Sequence, residues 1–151
     1  MRKITVIFPK LYRDGLFTVL AASWITGVIF FILSRYITVP GDFGAEKHPW
    51  QYPVLQIHGA AAFFMMMAFG SIIATHIPMT WKLQRLRKLG LTMAAAIGLQ
   101  IISAYFLYYL ANEDWRAWVA NSHAALGVSL PLLLASHIVL GRRSRRTKST
   151  K

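Results

Sequence analysis

Four histidines stand inside long apolar stretches of the sequence, where an ionisable side chain is costly and usually functional. His58 and His76 lie in one stretch and His123 and His137 in another, whereas His48 lies in a polar connection. A neutral imidazole nitrogen binds transition metals and haem iron, and it also takes up protons near neutral pH. The functional hypothesis therefore begins with the four histidines in the apolar stretches.

The spacing within each pair predicts that both histidines share one face of a helix. His58 and His76 are 18 residues apart, which is five turns of 3.6 residues. His123 and His137 are 14 residues apart, which is about 40° short of four turns. If the two helices run parallel, His58 faces His123 near the outer membrane surface and His76 faces His137 near the inner one.

Two imidazoles that face each other inside a membrane predict a haem between them. Haem iron accepts two axial ligands, and the flat, apolar porphyrin suits a bundle interior while its propionates require a polar rim. Histidine at both axial positions favours electron transfer over oxygen binding. The sequence has no cysteine, which excludes iron–sulfur clusters, thiolate zinc sites and covalently attached haem.

The two histidine spacings differ in length along the helix axis. Eighteen residues cover about 27 Å and fourteen about 21 Å, so the helix of His58 and His76 is expected to tilt or bend more. Gly70 or the strain ahead of Pro78 would allow that bend. The outer pair is the firmer expectation, and a single haem at His58 and His123 is the alternative to two.

Four stretches without Asp, Glu, Lys or Arg provide the helices that position these ligands. Each has the roughly 20 apolar residues needed to cross a bilayer core. The predicted helices cover residues 16–37, 53–77, 89–111 and 116–140. We therefore expect an all-α protein: a four-helix transmembrane bundle, up-and-down, in one domain over 1–141, with a disordered basic tail at 142–151. Pro78 marks the expected end of the second helix, and Asn112 can cap the fourth.

Lysine and arginine are distributed unequally between the two sides of the predicted bundle. Of 17 such residues, 14 lie before the first helix, between the second and third, or after the fourth. The positive-inside rule therefore places both termini in the cytoplasm and the protein in the inner (cytoplasmic) membrane. This placement explains the net charge of +12 by topology and lipid contact, so nucleic acid is excluded as a partner.

Polar and small residues near the histidines have predicted supporting roles. Arg35 would pair with a haem propionate or extend to the membrane interface. Asn121 flanks His123 and would bind a propionate or fix an imidazole tautomer. Gly70 and Gly127 would give a porphyrin room, although small residues also serve ordinary helix packing.

The histidine-free helices are also expected to contribute. Gly27 in the first helix and Gly98 in the third would let a porphyrin approach the backbone. Gln100 and Ser103 are polar residues within the third helix, and interhelical hydrogen bonding accounts for them.

The run from Asn121 to Gly127, followed by His137, resembles the double-ligand helix of the four-helix, di-haem b-type membrane cytochromes. These include cytochrome b561-like proteins and the cytochrome b subunits of hydrogenases and formate dehydrogenases. His58 with Gly59 resembles the partner ligand. The dehydrogenase-linked members take one ligand from their first helix, which has no histidine here, so His76 follows the b561-like pattern. The resemblance implies haem b, transmembrane electron transfer, and quinone or a redox partner at one face.

Two other functions stay open at the level of sequence. A transporter or proton relay would use the histidines to bind a metal ion or a proton, but no carboxylate lies inside a predicted helix. A membrane anchor without a redox role would leave the four apolar-stretch histidines unexplained. Since the chain shows no soluble domain or nucleotide motif, electron transfer would need a partner redox protein, the other subunits of an oxidoreductase complex, or quinone.

Overall fold

The computed structural model describes residues 9–82 and 86–146. Their main elements are four long helices: α1 (Lys10–Tyr36), α2 (Gln51–Lys82), α3 (Arg87–Tyr109) and α4 (Glu113–Arg146). Each helix contains a segment that is long and apolar enough to cross a membrane. The prediction of an all-α chain with four helices able to span a bilayer is therefore confirmed, and this is the architecture of a multi-pass membrane protein.

The helices present apolar surfaces, as a lipid environment requires. Among the described residues, the buried hydrophobic side chains are Ala96, Ile97 and Leu130. Much larger side chains remain outside, such as Phe63 at 57% exposed and Leu132 at 73% exposed. Apolar area on this scale would promote aggregation in water, but lipid tails solvate it without penalty.

Two helices continue past the C-terminal ends that the sequence predicts. Pro78 lies inside α2, which continues to Lys82, so the expected end at Pro78 is wrong. A proline here removes one backbone hydrogen bond, a loss that helices in membranes tolerate. α4 continues to Arg146, so residues 142–146 of the expected disordered tail are helical. Arginine has good helix propensity and suits the negative end of the helix dipole. Residues 147–151 lie outside the described residues.

The start of α4 is capped as the sequence predicts. The side-chain oxygen of Asn112 accepts a hydrogen bond from the backbone N–H of Trp115 at 3.0 Å. Glu113 and Asp114 occupy the first turn, where negative charge suits the positive end of the helix dipole. The three-residue connection between α3 and α4 thus has a definite conformation.

A β-hairpin that the sequence did not predict joins α1 to α2. β1 (Thr38–Gly41) pairs antiparallel with β2 (Gly44–Lys47), and Gly41 lies opposite Gly44. Gly44 has a φ of 122°, a backbone conformation that glycine adopts at little cost. Phe43, in the turn between the strands, is fully exposed. The turn-rich segment after α1 is therefore an ordered hairpin with an aromatic tip.

The described residues form two compact units. One holds residues 9–68, which comprise α1, the hairpin and the first part of α2. The other holds residues 69–82 and 86–146, which comprise the end of α2 together with α3 and α4. Each histidine is described below within its own unit.

In the second unit, α3 and α4 pack antiparallel. Ser103 lies beside His123, Gln100 beside Gly127, and Gly90 beside His137. Residue numbers thus decrease along α3 as they increase along α4. The two α4 histidines therefore contact different ends of α3. Their separation of 14 residues corresponds to about 21 Å along the helix.

Candidate functional site

His76 of α2 and His137 of α4 lie side by side in the second unit. The centres of their imidazole rings are 6.4 Å apart, and the ring planes make an angle of 68°. Both side chains are half-buried. The sequence predicted this pair from helical spacing, and the structure brings its two members together.

The surroundings of His137 combine a buried nitrogen with a small neighbour. Its Nδ1 atom is buried and has no hydrogen-bond partner among the described residues. A Cβ atom added to Gly90 of α3 would lie 3.8 Å from Cε1 of His137, in ordinary van der Waals contact. An alanine at position 90 would thus fit beside the imidazole without displacing it. A buried imidazole nitrogen without a hydrogen bond is costly unless a partner engages that nitrogen.

His123 is held by α3 near the other end of the helix pair. Its Nδ1 atom lies 2.8 Å from the hydroxyl oxygen of Ser103. Ser103 also donates a hydrogen bond to the backbone carbonyl of Gln100, at 3.1 Å. The prediction that Ser103 makes an interhelical hydrogen bond is therefore confirmed, and its partner is one of the candidate ligands.

His58 is held by α1 in the first unit. Its Nδ1 atom lies 3.0 Å from the backbone carbonyl oxygen of Ser23 and 3.2 Å from the hydroxyl of Thr26. A Cβ atom on Gly27 would lie only 2.9 Å from Cε1 of His58, closer than such atoms normally approach. Gly27 therefore makes room for the imidazole itself, a contact that the sequence did not predict.

The four supporting residues of the predicted site have different surroundings. Arg35 is exposed in the last turn of α1, where a positive charge suits the helix dipole. Asn121 is exposed on α4. A Cβ on Gly127 would lie 2.7 Å from Nε2 of Gln100, so Gly127 serves helix packing, whereas no described atom lies within 4 Å of a Cβ on Gly70. The contacts of these four residues with a haem stay predictions.

An open groove runs between α3 and α4 beside Ser103. It has a volume of about 750 Å³, and its walls are mostly aromatic and aliphatic. The hydroxyl groups of Ser103 and Ser122 and the carboxylate of Asp114 are its polar members. Trp115 and Trp118 line it near the start of α4 and remain largely exposed.

Sequence reasoning missed the residues that orient the histidines from the histidine-free helices. Gly90, Ser23 and Thr26 had no assigned role, because a sequence does not give the register of one helix against another. The only available signal was the presence of small or hydroxyl residues in apolar helices.

Within residues 9–82 and 86–146, no group of three or more His, Cys, Asp or Glu side chains is placed to hold a metal ion. The site is thus described by the His76–His137 pair, by His58 and His123 each within its own unit, and by the neighbours of these residues. Comparisons with protein families, with curated proteins and with solved structures found no match to this chain.

Proposed function

We propose that this protein is a membrane cytochrome b that carries electrons across the bilayer on haem b bound by histidine pairs. The observation that carries the proposal is the juxtaposition of His76 and His137, contributed by two helices that can each span a membrane. Quinone or a partner redox protein is the proposed source or acceptor of the electrons.

The separation of His76 and His137 suits two axial ligands of one iron. Two imidazoles that bind a metal from opposite sides have ring centres roughly 6 Å apart, because each metal–nitrogen bond is about 2 Å long. The observed separation is 6.4 Å. The donors also suit the cofactor, since neutral imidazole is a common axial ligand of haem iron.

The environment of the pair supports a flat, apolar ligand. Gly90 contributes no side chain beside His137, and the two histidines lie within apolar helix segments. Nδ1 of His137 is buried without a hydrogen-bond partner among the described residues, so a ligand atom that engages this nitrogen would remove the cost of its burial. The residues present therefore fit the inner haem that the sequence predicts.

The outer haem is proposed from the sequence, with His58 and His123 as its ligands. What the structure adds is that Nδ1 of each ring lies within hydrogen-bond distance of an oxygen from a neighbouring helix: Ser23 for His58 and Ser103 for His123. With Nδ1 engaged in this way, Nε2 is the proposed ligand atom of both rings. One haem at this outer pair alone is the variant of the proposal with a single cofactor.

Haem b, when bound, would supply reversible one-electron chemistry. The chain's own contribution would be a pair of histidines to hold the haem, and two histidine ligands would disfavour oxygen binding. Its apolar helices keep water from the ligands, and its exposed polar residues, Arg35 and Asn121, are the proposed partners of propionates near the outer surface. Where little water is present, electrostatic interactions with each nearby charge are also stronger.

The proposed location is the inner membrane, with both termini in the cytoplasm. The charge asymmetry of the sequence supports it. At the start of α3, Arg87 donates two hydrogen bonds to the carbonyl of Trp81 and lies over its ring at 4.8 Å. An arginine stacked on tryptophan is typical of a helix end at the membrane interface.

The test is the haem content and absorption spectrum of the purified full-length protein. We expect two haems per chain with low-spin b-type bands that sharpen on reduction. His137→Ala should remove one haem, while His48→Ala, a change to the histidine outside the apolar helices, should remove none. A colourless protein that binds divalent metal would instead support a transport function, and a colourless protein that binds neither would support a membrane anchor.

A further inference from the structure

The helices that carry no candidate ligand nonetheless form hydrogen bonds with Nδ1 of the outer histidines. Nδ1 of His123 meets the Ser103 hydroxyl of α3, and Nδ1 of His58 meets the Ser23 carbonyl and Thr26 hydroxyl of α1. All three contacts involve Nδ1. The protonation of each ring can therefore be deduced from what its neighbours can donate and accept.

The deduction for His58 is direct. A backbone carbonyl can only accept a hydrogen bond, so Nδ1 of His58 must carry the proton that it donates to Ser23 at 3.0 Å. Thr26 donates its own proton to the carbonyl of Ala22 at 2.6 Å, which leaves its oxygen as a second acceptor for the same N–H. His58 is thus the Nδ1–H tautomer, and Nε2 carries the lone pair.

The deduction for His123 depends on a single serine. Ser103 has one proton and two oxygen contacts, at 3.1 Å to the Gln100 carbonyl and at 2.8 Å to Nδ1 of His123. The carbonyl cannot donate, so both bonds form only when Ser103 gives its proton to Gln100 and accepts one from Nδ1. This arrangement again makes Nε2 the lone-pair nitrogen.

We propose that Ser103 is a positioning residue that sets the tautomer of His123 and thereby tunes the reduction potential of the haem bound there. The tautomer part stands on the hydrogen-bond geometry alone, whereas the potential part rests on the proposed cytochrome function. An acceptor on the second nitrogen of a ligating histidine orients the ring and raises its basicity, which stabilises the oxidised iron. Removal of that acceptor should therefore raise the potential.

The two outer histidines should respond differently to loss of a hydroxyl. Ser103 is a side chain, so Ser103→Ala deletes the acceptor for His123. For His58, Thr26→Val removes only the second acceptor, because the Ser23 carbonyl belongs to the backbone and remains. The structure therefore predicts a large effect at His123 and little effect at His58.

The tautomer is measured by nitrogen NMR of the full-length protein labelled at histidine and produced without added haem precursor. His123 signals are identified by their loss in His123→Asn. We expect the Nδ1–H pattern for His123 in the natural sequence and its replacement by the Nε2–H pattern in Ser103→Ala. Ser103→Thr should restore Nδ1–H, and Ser129→Ala should change nothing, because that hydroxyl donates its hydrogen bond within α4, to the Leu126 carbonyl.

The potential is measured by redox titration of the haem-loaded protein in the same set of variants. We expect an upward shift of one midpoint potential in Ser103→Ala, recovery in Ser103→Thr, and no shift in Ser129→Ala. A His123 that keeps Nδ1–H in Ser103→Ala, or an unshifted potential in a haem-loaded variant, overturns the role of Ser103. A protein without haem whose tautomer follows these predictions would overturn the cytochrome proposal and leave the role of Ser103 intact.

Discussion

At the scale of single residues, the sequence predicted the juxtaposition of His76 and His137 better than it predicted the contacts of the other histidines. Helical spacing places the two histidines of each helix on one face, because 18 residues are five turns and 14 are nearly four. For two parallel helices this predicts that His76 and His137 meet. Spacing could not reveal that Gly27 accommodates the ring of His58, or that Ser103 bonds His123. Those contacts depend on the rotation and register of neighbouring helices, which small residues allow but do not specify.

The close contact at Gly27 leads to a prediction about stability. A Cβ at this position would lie 2.9 Å from Cε1 of His58, a ring that the Ser23 carbonyl holds in place. We expect Gly27→Ala to lower the free energy of unfolding by about 1–3 kcal/mol, the usual cost of overpacking. The measurement is thermal or denaturant unfolding in detergent micelles.

Gly70→Ala provides the matched control, because no described atom lies within 4 Å of the added Cβ. Alanine has the higher helix propensity, so this change should be neutral or stabilise by up to about 1 kcal/mol. Equal effects of the two substitutions would show that the contact between Gly27 and His58 does not constrain the helices.

At the scale of elements, composition predicted where the helices are but not all of their ends. Long apolar runs without charge predict the positions of all four helices, because a helix that crosses a membrane requires such a run. The predicted end of α2 at Pro78 is wrong, because proline ends helices in water more often than in lipid. The hairpin before α2 was missed because its strands have only four residues each and little alternation.

The cap of α4 gives a prediction at this scale. Asn112→Ala removes the acceptor for the Trp115 N–H and should destabilise the protein by about 1 kcal/mol. Asn112→Asp retains an oxygen in the same position and adds a charge that suits the helix dipole, so it should match the natural sequence. Unfolding in detergent measures both variants. A loss in Asn112→Asp as large as in Asn112→Ala would contradict the role of the cap.

At the scale of the whole molecule, four apolar helices and an uneven distribution of charge lead to the proposed orientation in the membrane. In the proposed orientation, most basic residues would lie on the cytoplasmic side and the hairpin would lie on the opposite side. The exposed Phe43, Trp50 and Tyr52 suit an interface between lipid and water. The orientation is set when the chain inserts into a membrane. The distribution of charge in the sequence predicts this orientation through the positive-inside rule.

Cysteine labelling tests this orientation, because the natural sequence contains no cysteine. Phe43→Cys places a thiol at the exposed hairpin tip, and Lys88→Cys places one in the exposed first turn of α3. A membrane-impermeant maleimide added to intact cells should label the hairpin variant and should label the α3 variant only after lysis. The reverse pattern would invert the proposed topology.

The central claim is that His76 and His137 bind the same haem, and the low-spin haem content of a double variant tests it most directly. If the two rings share one iron, then His76→Ala, His137→Ala and the combined variant should each lose the same single equivalent of low-spin haem, because the second substitution has nothing further to remove. If the combined variant lost twice as much as either single one, or if both single variants kept their full content, the two histidines would not be partners on one haem.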